Sequence, residues 1–577
     1  MAILCQLYTC LLLLTIHSLS TTVSASNLSS IQLNNTSQDT KQNKKGYISL
    51  PFRKSYGHQF ETSNHWDKNT PGLYRRSSDF EHILIANQQS FYSVDLEIGT
   101  PPQNVTVLVD TGSSDLWVSH AMNPYCGALL DDDDDDTSSS VLRKREIHIE
   151  QDPAIGDLIL PIDCEQFGTF NPDMSYTWSP NVTSFEITYG DSTFASGHWG
   201  QDSLHMMNLN ITGLSFAVAN RSNSSVGVLG IGMQGLEVTN TGPNRKSAFS
   251  YDNFPMVLKN NGAIQANVYS LYLNSLSSTH GSVLFGAVDH SKYTGALHTV
   301  PIVNTLRHLG FKTAVQFDIT LHGIGVVAHS GSGNKKYRTL TTTKIPALLD
   351  SGTTLTYLPE KIVEQIAGYI GAVYSAKTGF YMVPCSAVET ATSPNMNDIY
   401  IVFDFGGFHI NTTLSNYIIQ TTSDSCLFGI VPHRTNTALL GDTFLTHAYV
   451  VFDLENKEIS LAQVSANELT GHRGRSMEPH EDIEIVPEGA TAIPRAIKAA
   501  RYSDVWSVSA ASLGTSGNIF TTDYTGVDVG NDEEGGFTGG NSLRSSRQTT
   551  GNNAGEGVFV GGWHFMPLLI SVVSMLL

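Results

Sequence analysis

The sequence carries VLVDTGSS at residues 107–114 and a second copy of the same pattern, ALLDSGTT, at residues 347–354. In each copy an apolar run leads into Asp-Thr/Ser-Gly, which predicts a buried strand followed by a sharp turn at glycine. Asp110 and Asp350 would then stand at the ends of buried strands, where a carboxylate without a partner is costly. Each is the natural partner of the other, because two opposed carboxyl groups cannot both ionise cheaply and so share one proton. One member of such a pair can accept a proton from water while the other protonates a carbonyl oxygen.

The duplicated motif resembles that of the pepsin-like aspartic proteases, and the resemblance covers about residues 85–465. It implies an all-β, bilobal fold with the active-site cleft between two lobes, each of which supplies one catalytic aspartate. It also implies that Ser113 and Thr353 are hydroxyl partners of the two carboxylates, and that Gly112 and Gly352 support them in the turns.

Residues 185–193 alternate between apolar and polar and then turn at Gly190, as in the flap hairpin of this family. The resemblance implies that Tyr189 closes over the substrate and that the indole N–H of Trp117 supports it. Asp191 follows at the flap tip, where a carboxylate could pair with a Lys or Arg of the substrate. A polar flap tip that binds only the substrate backbone is the alternative.

The formal net charge is −20 at pH 7, which argues against nucleic-acid binding. Such a charge suits an acidic compartment and can attract basic substrates, although a merely solvated acidic surface explains it as well. Neither a Cys-x-x-Cys pair nor a His-rich metal spacing occurs. The sequence therefore predicts no metal ion and no cofactor.

The N-terminal part of the chain predicts two removable segments. Residues 1–25 have an apolar centre followed by small residues, as in a cleaved secretory signal peptide. Residues 26–76 contain YISLPFRK at 47–54, which resembles the propeptide strand of pepsin-like zymogens, where a basic side chain neutralises the catalytic carboxylates. Arg75 and Arg76 close this segment, and a kexin-like processing protease would release the propeptide there.

The mature enzyme is expected to have an N-terminal catalytic lobe at 77–299 and a C-terminal catalytic lobe at 300–465. The first lobe contains an insert at 127–163 with six consecutive Asp residues. Like charges repel one another and cannot pack, so the insert is predicted to be an exposed loop. A basic triplet in the insert is a candidate internal cleavage site, and a solvated loop that is never cut is the alternative. The triplet consists of Arg143, Lys144 and Arg145.

Four of the six cysteines lie outside the predicted signal peptide, and in an exported chain they predict two disulfides. Four cysteines allow three connectivities, of which the sequential one is expected: Cys126 with Cys164, and Cys385 with Cys426. The second pair also resembles the second-lobe disulfide of the family. The first pair would bracket the insert and would hold two chains together after a cut in the loop. The protein is thus expected to be a monomer, made of one chain or of two disulfide-linked chains.

Residues 466–553 are rich in Gly, Ser and Thr without apolar periodicity, which predicts a flexible stalk. Residues 554–577 include an apolar end that is too short and wrongly flanked for a transmembrane helix, but that fits a removed GPI-anchor signal, with attachment at Asn553. The lipid would hold the enzyme at the plasma membrane or the cell wall. Six sequons are candidate glycosylation sites, at Asn104, Asn181, Asn210, Asn220, Asn223 and Asn411.

Taken together, these segments resemble fungal surface aspartic proteases of the yapsin and candidapepsin type. The resemblance implies an endopeptidase that acts at acidic pH, cleaves at or near basic residues and processes surface or wall proteins. Its expected partners are protein and peptide substrates, the kexin-like protease and the membrane. Three alternatives stay open: a broad degradative protease of the same fold, a catalytically inactive binding protein, and a structural wall protein whose stalk is the functional part.

Overall fold

The computed structural model describes residues 46–55, 91–126, 162–190, 193–206, 209–241, 248–275, 278, 280–329, 335–376, 379–385, 399–420, 425–465, 482–506, 513–515 and 517–520. Strand is the main secondary structure of these residues, as predicted. Its helices are short: α1 (Val238–Thr241), α2 (Phe254–Asn260), α3 (Glu360–Ile370) and α4 (Asp442–Leu445). No helix within the described ranges combines the length and apolar character needed to cross a membrane.

The first part of the chain forms twelve of the described strands. They are β1 (Ile48–Ser55), β2 (Phe91–Ile98), β3 (Gln103–Asp110), β4 (Leu116–Ser119), β5 (Ser179–Thr188), β6 (Phe194–Met206), β7 (Leu209–Ser222), β8 (Gly227–Gly230), β9 (Val268–Tyr272), β10 (His280–Phe285), β11 (Ala287–Asp289) and β12 (Tyr293–Pro301).

The remaining described strands follow residue 301. They are β13 (Asp318–Leu321), β14 (Gly323–His329), β15 (Lys335–Thr341), β16 (Ile345–Leu349), β17 (Thr356–Pro359), β18 (Val373–Ser375), β19 (Phe380–Pro384), β20 (Ile399–Asp404), β21 (His409–Thr413), β22 (Ile418–Gln420), β23 (Ser425–Phe428), β24 (Ile430–His433), β25 (Ala438–Leu440), β26 (Ala448–Asp453), β27 (Glu458–Val464), β28 (Ile483–Ile485) and β29 (Ala496–Lys498).

One large sheet joins the two halves of the chain. Its strand order is β29-β12-β27-β26-β9-β10-β1-β2-β3-β8-β4-β7-β6-β5, so β26 and β27 from the end of the second half pair with β9 and β12 from the first. The second half has its own sheets, of which β13-β16-β25-β17-β24 carries the second Asp-Ser-Gly motif. This shared sheet with a separate sheet in the second half agrees with the predicted bilobal all-β fold.

The two motifs sit in equivalent local architecture. β3 and β16 are apolar strands that are largely buried, and each runs parallel to a second buried strand, β8 beside β3 and β25 beside β16. Asp110 ends β3, and Asp350 directly follows β16. Because both strands are packed on all sides, they fix the backbone from which the two carboxyl groups project.

A strand of the predicted propeptide belongs to the central sheet. β1 lies between β2 and β10, antiparallel to both. Its apolar residues Ile48, Leu50 and Phe52 alternate with exposed ones and are buried in the main core, which is the pattern of a half-buried strand. On the opposite face, Arg53 makes a bidentate ion pair with Asp95, with N···O distances of 2.8 and 2.6 Å.

Part of the predicted stalk is folded onto the catalytic body. We call residues 482–506, 513–515 and 517–520 the C-terminal strap. Within it, β28 pairs with β11 and β29 pairs with β12. Val486 and Ile493 are buried in one apolar cluster, and Ile519 and Phe520 in another. The prediction of a flexible stalk from residue 466 is therefore wrong for these residues, because their scattered apolar side chains find buried sites on distant strands.

Both disulfides have the expected sequential pairing, Cys126 with Cys164 and Cys385 with Cys426. Several predicted features lie outside the described residues. These are the signal peptide, most of the propeptide with Arg75 and Arg76, the basic triplet Arg143, Lys144 and Arg145, the flap-tip residue Asp191, and the attachment residue Asn553.

Candidate active site

The carboxylate of Asp110 is oriented by its own loop. The backbone N of Gly112 donates to Oδ1 at 2.7 Å, and the hydroxyl of Ser113 donates to Oδ2 at 2.5 Å. Asp110 is buried, with 4% of its surface exposed. Each oxygen thus has one fixed donor, which is the support that the sequence predicted.

The loop around Asp350 repeats this arrangement. The backbone N of Gly352 donates to Oδ1 at 2.9 Å, and the hydroxyl of Thr353 donates to Oδ2 at 2.8 Å. Asp350 has the same exposed fraction, 4%. The duplicated sequence motif therefore produces a duplicated hydrogen-bond pattern.

A reciprocal set of hydrogen bonds ties the two loops together. The hydroxyl of Thr111 donates to the carbonyl of Leu349, and that of Ser351 donates to the carbonyl of Val109. The backbone N of each of the two hydroxyl residues also donates to the hydroxyl of the other, at 3.2 and 2.9 Å. The sequence analysis assigned Thr111 and Ser351 no role, although a hydroxyl residue at the second position of both motifs was the available signal.

The loops approach so closely that only glycine fits at the third position. A Cβ placed on Gly112 would lie 2.6 Å from Oδ1 of Asp350, and one on Gly352 would meet Oδ1 of Asp110 in the same way. No side chain tolerates such a contact with a carboxylate. The two glycines therefore allow the carboxyl groups to face each other.

The two carboxyl groups lie close enough to each other that their ionisation is linked. Burial raises the pKa of both Asp110 and Asp350, and the negative charge of Asp110 raises the pKa of Asp350 further. Because the groups interact so strongly, the proton belongs to the pair and not to one residue. The geometry thus favours a singly protonated pair over a range of pH.

The hairpin of β5 and β6 bears Tyr189. The indole N of Trp117 donates to its hydroxyl at 2.8 Å, as the resemblance implied. The hairpin closes where the backbone N of Tyr189 donates to the carbonyl of Thr193 at 2.8 Å. Burial and the charge of Asp110 raise the pKa of Tyr189 well above its usual range, so its hydroxyl stays protonated. Gly190 is the last described residue before the tip.

A family model, "Eukaryotic aspartyl protease", matches residues 91–464. The chain belongs to this family of aspartic endopeptidases. Aspartic proteinase 3 of Saccharomyces cerevisiae is 46% identical to it, over 93% of this chain and 94% of the relative. Aspartic proteinase MKC7 of the same yeast is 45% identical over 82% and 80%, and aspartic proteinase yapsin-3 is 44% identical over 82% and 81%. These matches confirm a pepsin-like aspartic protease of the yapsin type.

Among solved structures, an aspartic proteinase from Irpex lacteus covers 74% of this chain and 98% of its own, with a TM-score of 0.48 and 20% identity.

Beneath the Asp110 loop the protease has buried acids that the sequence analysis missed. Asp115 accepts hydrogen bonds from the backbone N of Val238 and the hydroxyl of Tyr251, at 2.9 and 2.8 Å. Burial raises the pKa of Asp115 to about 6. Glu237 accepts from the backbone N of Gly235 at 2.7 Å, and burial together with the charge of Asp115 raises its pKa to about 8. A charged residue inside an apolar stretch was the only signal in the sequence.

Behind the Asp350 loop the protease has a different buried acid, Asp442, at the first position of α4. Burial raises the pKa of Asp442 well above its usual range, the charge of Lys54 lowers it, and the charges of Asp350 and Asp110 raise it. Lys54 belongs to β1, within the predicted propeptide. Asp442 is in turn the acid whose charge acts on Lys54 and raises its pKa, against the lowering effect of burial.

The sequon asparagines differ in exposure. Asn223 and Asn411 are only half-exposed; Oδ1 of Asn223 accepts from the backbone N of Phe194, and the backbone of Asn411 exchanges hydrogen bonds with the side chain of Gln463. The exposed sequon residues are Asn104, Asn181, Asn210 and Asn220.

Among the residues that the structure describes, no cluster of three or more His, Cys, Asp or Glu could hold a metal ion.

Proposed function

We propose that Asp110 and Asp350 are the catalytic pair of a surface-anchored acid endopeptidase that cleaves at or near basic residues. The observation that carries the assignment is the pair of buried carboxyl groups that face each other from matching, reciprocally bonded loops. A pair of this kind is poised for general acid–base catalysis, because burial and the neighbouring like charge keep one proton on it.

In this mechanism a water bound between the carboxyl groups is the nucleophile. The ionised member takes a proton from the water as its oxygen attacks the peptide carbonyl carbon, and the protonated member gives its proton to the carbonyl oxygen. The tetrahedral gem-diol intermediate then collapses: one of its hydroxyl groups returns a proton to the pair, its C–N bond breaks, and the leaving amine takes from the pair the proton that came from the water. One peptide bond and one water are consumed, and no acyl-enzyme forms.

The proposed acidic working range follows from the proton count of the pair. Activity needs one proton on Asp110 and Asp350 together. It falls on the acid side when both are protonated and on the alkaline side when both are ionised. Since burial raises both pKa values, the singly protonated state extends to higher pH than it would for exposed aspartates. Ser113 and Thr353 would hold the ionised form in position.

The proposed preference for basic residues rests on the flap. Tyr189 would cover the substrate and exclude water, and Asp191, the predicted tip residue, lies two residues further along the chain. A carboxylate there would pair with a Lys or Arg beside the scissile bond. The net charge of −20 would also attract basic substrates.

The terminal segments support the proposed location and maturation. An N-terminal signal, removal of the propeptide at Arg75-Arg76 by a kexin-like protease and a GPI lipid at Asn553 would place the enzyme at the plasma membrane or cell wall. A cut at the basic triplet 143–145 would give two chains joined by Cys126–Cys164. Gel electrophoresis with and without reductant tests this, since a single band under both conditions would contradict a two-chain form.

The test of the function is cleavage-site profiling of the chain truncated before Asn552, which keeps every described residue. A peptide library is digested at several acidic pH values with and without pepstatin, beside an Asp110→Asn control. Pepstatin-sensitive cuts clustered at Lys or Arg support the whole proposal. Pepstatin-sensitive cuts between apolar residues keep the mechanism and reject the basic preference. No turnover at any acidic pH would reject the enzyme assignment of these residues.

The anchor needs its own test on intact cells. Phosphatidylinositol-specific phospholipase C is expected to release the full-length protein into the medium, and an Asn553→Gln variant with Asn552 also replaced by Gln should be secreted or retained without the lipid. Retention on the cells despite the phospholipase would direct attention to covalent wall attachment, and release without it would contradict a lipid anchor.

A further inference from the structure

Two residues that take no part in the chemistry of the Asp110–Asp350 pair hold the flap hairpin at Phe194. We call the contacts of these residues, Asn223 and Tyr125, with Phe194 the clamp. Oδ1 of Asn223 accepts a hydrogen bond from the backbone N of Phe194, with an N···O distance of 2.7 Å. Phe194 is the first residue of β6 and directly follows Thr193, whose carbonyl closes the hairpin on Tyr189. The clamp therefore acts one residue away from the closing hydrogen bond of the flap.

The clamp lies where the supporting strand stops. β6 pairs with β7 up to Ala195 opposite Ser222, and β7 ends at Ser222. Phe194 lies just beyond this last pair. The side chain of Asn223 supplies the acceptor that a longer β7 would have offered from its backbone. Further towards the tip, Trp117 holds the hairpin from the cleft side.

A second contact reaches the same residue from the base of the acidic insert. The ring of Tyr125 packs edge-to-face on the ring of Phe194, with ring centroids 5.6 Å apart. Tyr125 is buried, and its hydroxyl accepts from Nη2 of Arg221 at 3.3 Å. It directly precedes Cys126, whose disulfide to Cys164 closes the insert.

The buried side chain of Asn123 links the segment of Tyr125 to the end of β7 next to Asn223. Oδ1 of Asn123 accepts from the backbone N of Tyr125 and from that of Ser222, at 3.3 and 3.2 Å, and its Nδ2 donates to the carbonyl of Ser222 at 3.0 Å. The base of the insert and the end of β7 are thus fixed to each other. Both contacts of the clamp depend on this link.

We infer that Asn223 and Tyr125 are positioning residues for the flap, and that through Tyr125 the base of the disulfide-closed insert sets the position of the hairpin over the dyad. The inference rests on the proposed role of Tyr189 above the substrate. Releasing Phe194 lowers the fraction of molecules whose hairpin is ready to bind, and the apparent affinity falls by that fraction. The carboxyl pair is untouched, so the loss appears in KM while kcat and the pH profile stay in place.

The central experiment compares Asn223 variants in the full chain. Asn223→Ala removes the acceptor and is expected to raise KM about fivefold, the equivalent of one neutral hydrogen bond. Asn223→Asp keeps an acceptor and should stay within about twofold of the wild type. Both variants also lose the sequon. Ser225→Ala is the matched control, because it removes the sequon and leaves the Asn223 amide in place.

Folding and catalysis are separated by two further readouts. Kinetic constants are expressed per active site titrated with pepstatin, so a misfolded fraction does not count as a kinetic effect. Amide hydrogen exchange is measured at residues 188–196 in the unliganded protein. Asn223→Ala should speed exchange there, while Ser225→Ala should not.

Three results would overturn the inference. Asn223→Ala could match the wild type in KM and in exchange. Asn223→Asp could be as impaired as Asn223→Ala, which would remove the acceptor from the explanation. Ser225→Ala could share the defect, which would assign it to a glycan. Hydrogen exchange can be measured without turnover. A wild-type protein that cleaves no peptide would therefore reject the proposed function, while the exchange data would still test the clamp.

The Tyr125 contact has its own pair of variants. Tyr125→Leu loses the ring contact with Phe194 and should raise KM about threefold, within the range of an aromatic pair. Tyr125→Phe keeps the ring and loses only the contact with Arg221, so its KM should stay near that of the wild type. Equal kinetics for the two variants would remove Tyr125 from the clamp.

Discussion

The loops around Asp110 and Asp350 are nearly identical in their hydrogen bonds but differ in what surrounds them. Each aspartate receives one backbone N–H and one hydroxyl, and each loop bonds reciprocally to the other. The apolar strand beside each loop runs into a glycine. The next residue is Ile231 in the first half and the buried Asp442 in the second.

The buried acids of the two halves are stabilised in different ways. Asp115, near the first loop, is satisfied by two local donors, Val238 N and the Tyr251 hydroxyl. Asp442, near the second, interacts with the charge of Lys54, which comes from the predicted propeptide. Asp115 is therefore satisfied within the first half, whereas Asp442 interacts with the charge of a segment that is expected to leave.

The difference shows which features the chemistry constrains. Both carboxyl groups must be oriented alike to share a proton, so the two loops repeat the same pattern of hydrogen bonds. Outside the loops the fold requires only that the side chains be buried, and the two halves bury different titratable residues. The symmetry of the site and the asymmetry of its surroundings can be tested separately.

The largest expected effect tests the symmetry directly. Asp110→Asn and Asp350→Asn should each reduce kcat by about a thousandfold or more, because either change removes one of the two proton-transfer groups. The measurement is steady-state peptide cleavage with active, folded protein confirmed by its melting temperature. Substantial activity in one variant alone would show that the loops are not equivalent.

The next effect concerns the approach of the loops. Gly112→Ala and Gly352→Ala should each lower kcat by about a hundredfold, since the added Cβ would push the opposite carboxyl group out of position. Gly368→Ala serves as the control, because a Cβ added to this helical glycine outside the loops meets no atom within 4 Å. Similar losses in the two loop variants would support the shared geometry; a silent variant would contradict the close approach on that side.

A smaller effect is expected from the hydroxyl partners. Ser113→Ala and Thr353→Ala each remove a hydrogen bond to a carboxylate, which is worth about tenfold in kcat/KM. The bond from each hydroxyl lowers the pKa of its aspartate, so its loss should move the acid limb of the pH profile to higher pH. The conservative exchanges Ser113→Thr and Thr353→Ser should restore both, and an unmoved acid limb would count against direct bonding.

The smallest expected effects concern the free energy of unfolding and come from buried titratable residues outside the two loops. Burial raises the pKa of Glu237 from 4.5 to about 8, so its contribution is present below pH 4.5 and is lost as the pH rises towards 8. Burial lowers the pKa of His447 from 6.5 to about 4, so its contribution is present above pH 6.5 and is lost as the pH falls towards 4.

Denaturant unfolding at a series of pH values should resolve these opposite slopes. Glu237→Gln should be most favourable relative to the wild type near pH 8, and His447→Gln near pH 4, with differences on the order of a few kcal/mol. Parallel stability curves for a variant and the wild type would mean that its residue does not set that side of the range.

The features that depend on a local sequence pattern could be predicted from the sequence. The strand-Asp-Thr/Ser-Gly motif carries its own burial, turn and donors, and the flap hairpin and the sequential disulfides followed similarly. The sequence could not predict contacts that form only after distant strands assemble, such as the ion pair of Arg53 with Asp95. The C-terminal strap was missed for the same reason, because Val486, Ile493 and Phe520 are too widely spaced to form a periodic pattern.

Under the proposed anchoring at Asn553, the C-terminal strap would also determine how far the protease can work from its attachment point. Phe520 is buried against the second half of the chain, with 3% of its surface exposed, so the tether begins after it and not at residue 466. With an anchor at Asn553 the tether has 553 − 520 = 33 residues, and its fully extended length is at most about 110–120 Å. An enzyme anchored in this way would meet substrates within that radius of the attachment point at a high local concentration and would not reach more distant ones.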